Sequence, residues 1–119
     1  MHSYRTLHVW QKAHAAAGMV LRVTDRRYHP RSRALFDQLK RSAVSVEANI
    51  VEGYALRTPL QFRRHLRIAL GSAAETECLL RLASEQGYFP EGDVKELQDL
   101  IDSTIGMLVG FLRRRTSER

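Results

Sequence analysis

An all-α fold, an up-down-up-down antiparallel four-helix bundle, is predicted by three features of this 119-residue chain. Four stretches carry apolar or small residues at intervals of three and four, which places those residues on one face of a helix. Only a few residues separate the stretches, so consecutive helices should run antiparallel. No stretch shows the alternating pattern of a half-buried strand. The length fits one domain covering residues 1–119.

The first helix is predicted from about Leu7 to Arg27. The positions expected to face the core are Trp10, Ala13, Ala17, Val20 or Leu21, and Thr24. The helix should end before Pro30, because proline disfavours helical geometry in the residue that precedes it.

The second helix, from about Ser32 to Tyr54, carries two rows of residues at helical spacing. The apolar row consists of Phe36, Leu39, Ala43, Val46, Ile50 and Gly53. The polar row consists of Ser42, Ser45, Asn49 and Glu52. A helix with two such rows can contact two neighbours at once, within a bundle or within an oligomer. Gly53, near the end, is expected to supply a left-handed cap.

The third helix should begin after Thr58, a suitable N-cap, with Pro59 in its first position. Its row is Phe62, Leu66, Ala69, Ala73, Thr76, Leu80 and Ala83, and Gly87 should end it. The fourth is predicted from about Glu91 to Arg114. Its row is Val94, Leu97, Ile101, Thr104, Leu108 and Phe111.

Charge is divided unevenly along the chain, whose net charge is +6. Residues 1–70 hold 13 basic and 4 acidic side chains, whereas residues 71–112 hold 2 basic and 8 acidic ones. Sixteen of the 19 basic residues are arginine, which suits phosphate binding but equally suits a GC-rich genome. A basic half can bind nucleic acid, an acidic protein, or the acidic half of another copy.

Location is expected to be cytoplasmic. The apolar runs are too short to cross a membrane, and the first residues lack the apolar run of a signal peptide. A single cysteine cannot form an internal disulfide.

Enzymatic chemistry is not predicted, so no catalytic residue is assigned. The five histidines have no partner at zinc-binding spacing, and no glycine-rich phosphate loop is present, so neither a metal nor another cofactor is expected. Cys78 is expected to be a packed thiol. A carboxylate group formed by Glu52, Glu75 and Glu77 could do acid–base chemistry, but structural pairing of these residues is the favoured interpretation.

Packing or interface roles are predicted for seven residues. Small residues allow close approach of helices, and a polar residue within a packed row can fix its register. The residues are Trp10, Asn49, Glu52, Gly53, Gly71, Ser72 and Glu75.

Arginine clusters provide the functional lead. The predicted phosphate-binding residues are Lys40, Arg41, Arg63, Arg64, Arg67, Arg113, Arg114 and Arg115. A second group surrounds the turn between the first two helices: Arg22, Arg26, Arg27, Arg31 and Arg33. Phosphate contacts of this kind are salt-dependent and largely independent of sequence. The alternative is a solvated face with ion pairs between subunits. Few aromatic residues are expected to be exposed for base stacking. The candidates are Tyr4, Tyr28, Tyr54, Tyr88 and Phe89, but most of them should hold a loop against the core.

The chain also resembles a known family, the four-helix-bundle proteins of the 23S rRNA intervening-sequence type, which are similar to the accessory protein of diversity-generating retroelements. The resemblance rests on residues 7–13, 38–43, 49–53 and 68–72, on Phe62, Leu66 and Glu75, and on residues 79–88. Lys40 departs from the pattern, since most members have arginine there.

The resemblance implies a homopentameric barrel that is not an enzyme. It implies that retroelement members bind RNA and a reverse transcriptase through a basic surface. Intervening-sequence members are encoded within large-subunit rRNA genes, and stand-alone copies also occur. The preferred hypothesis is therefore an oligomer that binds structured RNA or a nucleoprotein. The alternative is a scaffold with an acidic protein partner and no nucleic acid.

Overall fold

The computed structural model describes residues 3–114, which form four α-helices and no strand within that range. The helices are α1 (His8–Arg26), α2 (Arg33–Ala55), α3 (Pro59–Glu85) and α4 (Glu91–Arg113). Short 3₁₀ turns, Tyr4–Thr6 and Pro30–Ser32, precede α1 and α2. Each helix packs against the next one in the chain, and α4 packs against α1. The four helices therefore form a closed bundle that measures 48 × 22 × 21 Å. The predicted antiparallel bundle is confirmed, with helix ends within one residue of expectation.

The predicted apolar rows supply the core. All six members of the apolar row of α2 are buried, and Leu39 and Ile50 are fully inaccessible. In α3 the same holds for the predicted row except Phe62, which is half-buried. Trp10 is only half-buried, and the neighbouring Val9 takes the core position. Burying this periodic apolar surface is the main force that stabilises the bundle.

An alanine layer divides the core into two clusters. One cluster surrounds Phe36, Leu80 and Phe89, and the other surrounds Ile50, Leu66 and Leu108. Between them a void of about 10 Å³ is lined by residues from all four helices. These are Ala13, Ala16, Ala43, Val46, Ala73, Thr76, Ile101 and Thr104. The short alanine side chains let the helices approach closely here.

Helix ends follow the predicted signals, with one exception. Thr58 caps α3 by accepting a hydrogen bond from the backbone N–H of Gln61 at 3.2 Å, and Gly87 adopts φ +73° after the end of the same helix. Gly53, by contrast, does not cap α2, which continues to Ala55. The left-handed conformation falls on Arg57, with φ 62°. The prediction for Gly53 was wrong because this residue lies inside α2 and is buried against α3, whereas the chain turns at Arg57.

Gly53 lies where α2 and α3 come closest. A methyl group at this position would lie 2.7 Å from Cβ of His65 and 3.3 Å from Cα of Phe62. Both distances are below normal carbon–carbon contact. Only glycine therefore allows α3 to pass α2 at this spacing.

Candidate nucleic-acid interface

A ladder of hydrogen bonds joins the polar row of α2 to α3. The Asn49 side chain donates to the backbone oxygen of Ser45 at 2.9 Å, and its Oδ1 lies 3.1 Å from Nδ1 of His65. The hydroxyls of Ser45 and Ser72 are 2.9 Å apart. Deeper in the bundle, Thr76 donates to Ser42 at 2.9 Å. These bonds tie α2 to α3 and favour one register, which is the role predicted for Asn49.

The carboxylates near this ladder do not form one group. Glu75 is exposed, and its carboxylate accepts a hydrogen bond from Gln38, whose own oxygen accepts one from Arg41 at 3.0 Å. Glu77 pairs with Arg81 at 2.8 Å. Glu52 is exposed on the last turns of α2. Structural pairing is thus found for Glu75 and Glu77, while Glu52 forms none of the ion pairs within residues 3–114.

Trp10 contributes to a cluster between α1 and α2. Its indole N–H donates to Glu47 at 3.1 Å, and the same carboxylate oxygen lies 2.8 Å from Nδ1 of His14. The His14 ring stacks on the indole with centroids 4.6 Å apart, and Tyr4 meets the indole edge-on at 5.0 Å. The cluster holds the start of α1 against α2.

Two small residues of α3 are exposed: Gly71, for which a packing or interface role was predicted, and Cys78. A methyl group added at Gly71 would meet no atom within 4 Å, so this glycine marks no close contact within the chain. Cys78, expected to be a packed thiol, is also exposed. Both lie on the side of α3 that faces away from the core. Their small size predicted packing, but helical phase places them outside it.

Free cations concentrate at the α2–α3 loop end of the bundle, where α2 and α4 finish and α1 and α3 begin. Arg57, Arg64, Arg67 and Arg113 are exposed there, and none of the ion pairs within residues 3–114 involves them. Arg114 is also exposed, with its guanidinium 5.1 Å from the Phe111 ring centroid. The predicted Arg115 lies outside the described residues. An exposed cluster without internal partners can bind an anion without first breaking an ion pair.

Arg63 differs from its neighbours. Its guanidinium donates to three backbone oxygens at the end of α4: Phe111 at 3.3 Å, Leu112 at 2.9 Å and Arg114 at 3.0 Å. The last carbonyls of a helix have no partner within it and carry partial negative charge. Arg63 therefore caps α4 and ties it to α3. This structural role was not predicted, because sequence spacing does not show which helix end an arginine reaches.

Lys40 and Arg41 form a separate patch. Lys40 pairs with Asp37 at 3.6 Å. Arg41 and Glu75 both form a hydrogen bond with the Gln38 side chain, so they lie at the same height along the bundle. Arg64 precedes Glu75 by eleven residues on α3, which is about 16 Å along the axis. The predicted cations are thus divided between the α2–α3 loop end and the middle of the bundle.

The opposite α1–α2 loop end holds a cavity of about 250 Å³ between the α1–α2 turn and the turn before α4. It is lined by Arg26, Arg27, Tyr28, His29, Arg31, Ser32, Gly87 and Tyr88. Its arginines belong to the second predicted group. Two of that group pair with carboxylates: Arg26 with Asp93 at 3.5 Å, and Arg33 with Asp37 at 4.0 Å.

Within residues 3–114, no group of three or more histidine, cysteine or acidic side chains is placed to hold a metal ion. Over the same range, no helix combines the length and apolar character needed to cross a lipid bilayer.

Comparison with known proteins gives two findings. The family model for the 23S rRNA-intervening sequence protein matches residues 5–110 of this chain. The fold is similar to a protein of unknown function from the S23 ribosomal protein family of Bacteroides thetaiotaomicron VPI-5482, with a TM-score of 0.77. The two chains are 22% identical, and the match covers 89% of this chain and 99% of that one. No curated protein matches this chain.

Proposed function

The chain belongs to the 23S rRNA-intervening sequence protein family, and from this premise we propose that it is a non-enzymatic, oligomeric protein that binds structured RNA. The single observation that carries the proposal is the group of exposed arginines without ion-pair partners at the α2–α3 loop end. Arginine binds phosphate through paired N–H groups, and clusters of such residues supply sequence-independent affinity for a nucleic-acid backbone.

The contrast between the two kinds of surface arginine supports this choice. Elsewhere on the bundle, Arg33 and Arg81 each form an ion pair with a carboxylate four residues away in the same helix. Arg64, Arg67 and Arg113 form none of the ion pairs within residues 3–114. Unpaired like charges on one end repel one another, which makes that end attractive to a polyanion. Arg63 contributes indirectly by holding the end of α4, and thus Arg113, beside α3.

Assembly into a homo-oligomer, with the pentamer expected from the resemblance, is the second part of the proposal. Gly71 supports it, because a helix-interior glycine costs about 1 kcal/mol relative to alanine, and a methyl group added at Gly71 would meet no atom of the described residues within 4 Å. Exposed apolar side chains lie on the same side of α3, with Ile68 46% and Leu82 43% accessible. A close helix contact between copies would account for both.

If the gene lies beside a retroelement, the resemblance to retroelement accessory proteins adds a second proposed partner, a reverse transcriptase. A gene within a 23S rRNA operon would instead favour an rRNA ligand. The genomic neighbourhood distinguishes these two cases directly.

RNA binding should weaken steeply with salt and depend on the unpaired arginines. We expect a labelled RNA hairpin, followed by fluorescence anisotropy, to bind more tightly at about 50 mM than at about 200 mM salt. Replacing Arg64, Arg67 and Arg113 together by glutamine should reduce affinity. It should also reduce the slope of log K against log salt by roughly one for each phosphate group that the variant no longer binds.

The matched control removes the same charge from Arg33, Arg81 and Lys95, which are exposed but paired with Asp37, Glu77 and Asp99. This control should leave the salt slope close to that of the wild type. Equal weakening in both triple variants would attribute binding to net charge and not to this surface. Absence of binding at low salt, together with salt-resistant capture of an acidic protein, would favour the scaffold alternative.

Self-association should depend on Gly71. We expect Gly71→Glu to convert the oligomer to monomers that keep the helical circular dichroism of the wild type, because a charged side chain would enter a close contact between copies. The control is Gly92→Glu, which places the same side chain in open space in the first turn of α4 and not in a helix interior. Sedimentation velocity measures both; a wild-type protein that is already monomeric at micromolar concentration would refute the assembly proposal.

A further inference from the structure

We propose that the cavity at the α1–α2 loop end binds one unpaired nucleotide, with its base against Tyr28 and its phosphate between Arg27 and Arg31. This inference rests on the proposed RNA-binding function and adds to it a second site, specific for single-stranded segments. The cavity of about 250 Å³ lies at the end of the bundle remote from Arg64 and Arg113.

Arg27 is held in place while most of its donors remain available. Its Nε lies 3.5 Å from the backbone oxygen of Tyr88, which orients the guanidinium along the cavity wall. A guanidinium has five N–H groups, and this contact uses the one on Nε. The Nη groups can therefore donate to phosphate oxygens.

Arg31 is positioned by different contacts with the same result. Its backbone N–H donates to Nδ1 of His29 at 3.2 Å, and its guanidinium lies 5.7 Å from the centroid of the Tyr88 ring. The Arg31 guanidinium makes no hydrogen bond or ion pair with another residue of the range 3–114, so its N–H groups can donate to an oxyanion. Arg26 also lines the cavity, but Asp93 at 3.5 Å offsets its charge. Two cations thus remain for a phosphate.

Tyr28 supplies the surface for a base. The residue lines the cavity and is 58% accessible, an exposure that serves no packing in the bundle. Every base has an aromatic face, so stacking on tyrosine does not require a particular sequence. A paired base inside a duplex already has neighbours on both faces, and a blunt duplex offers a free face only at its two ends, so the ring should favour unpaired nucleotides.

The test compares a short oligouridine with a blunt-ended RNA duplex of the same length, both labelled for fluorescence anisotropy. Tyr28→Leu should weaken oligouridine binding about tenfold and leave duplex binding within about twofold. Tyr28→Phe keeps the ring and should match the wild type. Arg31→Gln should weaken oligouridine binding more than Arg33→Gln, which removes one charge near the cavity but outside its lining. Because Tyr28, Arg31 and Arg33 are all exposed, all of these variants should keep the wild-type melting temperature.

The outcomes separate the two proposals. If the wild type binds both RNAs and Tyr28→Leu changes neither affinity, the nucleotide site is overturned and the proposed function stands. Equal weakening by Arg31→Gln and Arg33→Gln would likewise overturn the phosphate position. If the wild type binds neither RNA at low salt, both proposals fail together.

Discussion

Replacing Gly53 by alanine will lower the free energy of unfolding by about 2 kcal/mol, although alanine is the better helix former by about 1 kcal/mol. The added methyl would lie 2.7 Å from Cβ of His65, an atom fixed to the backbone of α3 that cannot swing aside. The two helices must separate, and the hydrogen bond between Asn49 and His65 must lengthen. At about 4 °C per kcal/mol for a domain of this size, the melting temperature should fall by roughly 8 °C.

Gly106→Ala is the matched control for this prediction. The position lies inside α4 and is exposed, with no atom within 4 Å of the added methyl. Here the helix preference acts alone, so stability should rise by up to about 1 kcal/mol. The same chemical change should therefore have opposite signs at the two sites. Urea titration measures both, and a stabilised Gly53→Ala would contradict the close approach of α2 and α3.

Arg63→Met should destabilise the protein by about 2 kcal/mol, because it removes three hydrogen bonds at the end of α4 and leaves the oxygens of Leu112 and Arg114 without their donor, while the Phe111 oxygen keeps the backbone N–H of Arg114 at 3.3 Å. It also removes the positive charge that a helix carboxyl terminus favours. Methionine keeps much of the apolar length of arginine, so the destabilisation reports mainly on the polar contacts. Arg63→Lys should recover only part of it, since an ammonium cannot span three oxygens with a planar fork.

The adjacent Arg64 provides the comparison. It is exposed, and Arg64→Met should change stability by no more than about 0.5 kcal/mol. In RNA binding the order should reverse: at a temperature where both variants are folded, Arg64→Met should weaken the complex more than Arg63→Met. An Arg63 variant with wild-type stability and the larger drop in RNA affinity would show that Arg63 contacts phosphate directly.

The helices could be predicted from sequence because their signals are local. Pro30, Thr58 and Pro59 mark boundaries by their own backbone and capping preferences, and the structure places the helix ends beside them. The apolar row of α2 repeats at the helical period, so its burial follows from geometry alone. Arg57 shows the limit, since nothing in its side chain favours the left-handed conformation that the loop imposes.

The candidate site was less predictable because it depends on which helices meet. Glycine near a helix end is typical of a cap, but Gly53 instead lies in close contact with His65 and Phe62 of α3. Arg63 and Arg64 are adjacent and identical, yet helical rotation of about 100° directs one toward the carbonyls of α4 and the other toward solvent. Tyr28, Arg27 and Tyr88 form a cavity only after folding, because the α1–α2 turn and the turn before α4 are far apart in the chain.

The alanine layer at the middle of the bundle has a consequence for how the protein can diverge. Most large side chains belong to one of two clusters on either side of it, and Ile105 is the partly buried residue that packs against both, so a substitution near Phe89 and one near Leu108 have largely separate packing partners. Their effects on stability should combine additively. Sequence changes at one end of the bundle should therefore leave the packing of the opposite end largely unchanged.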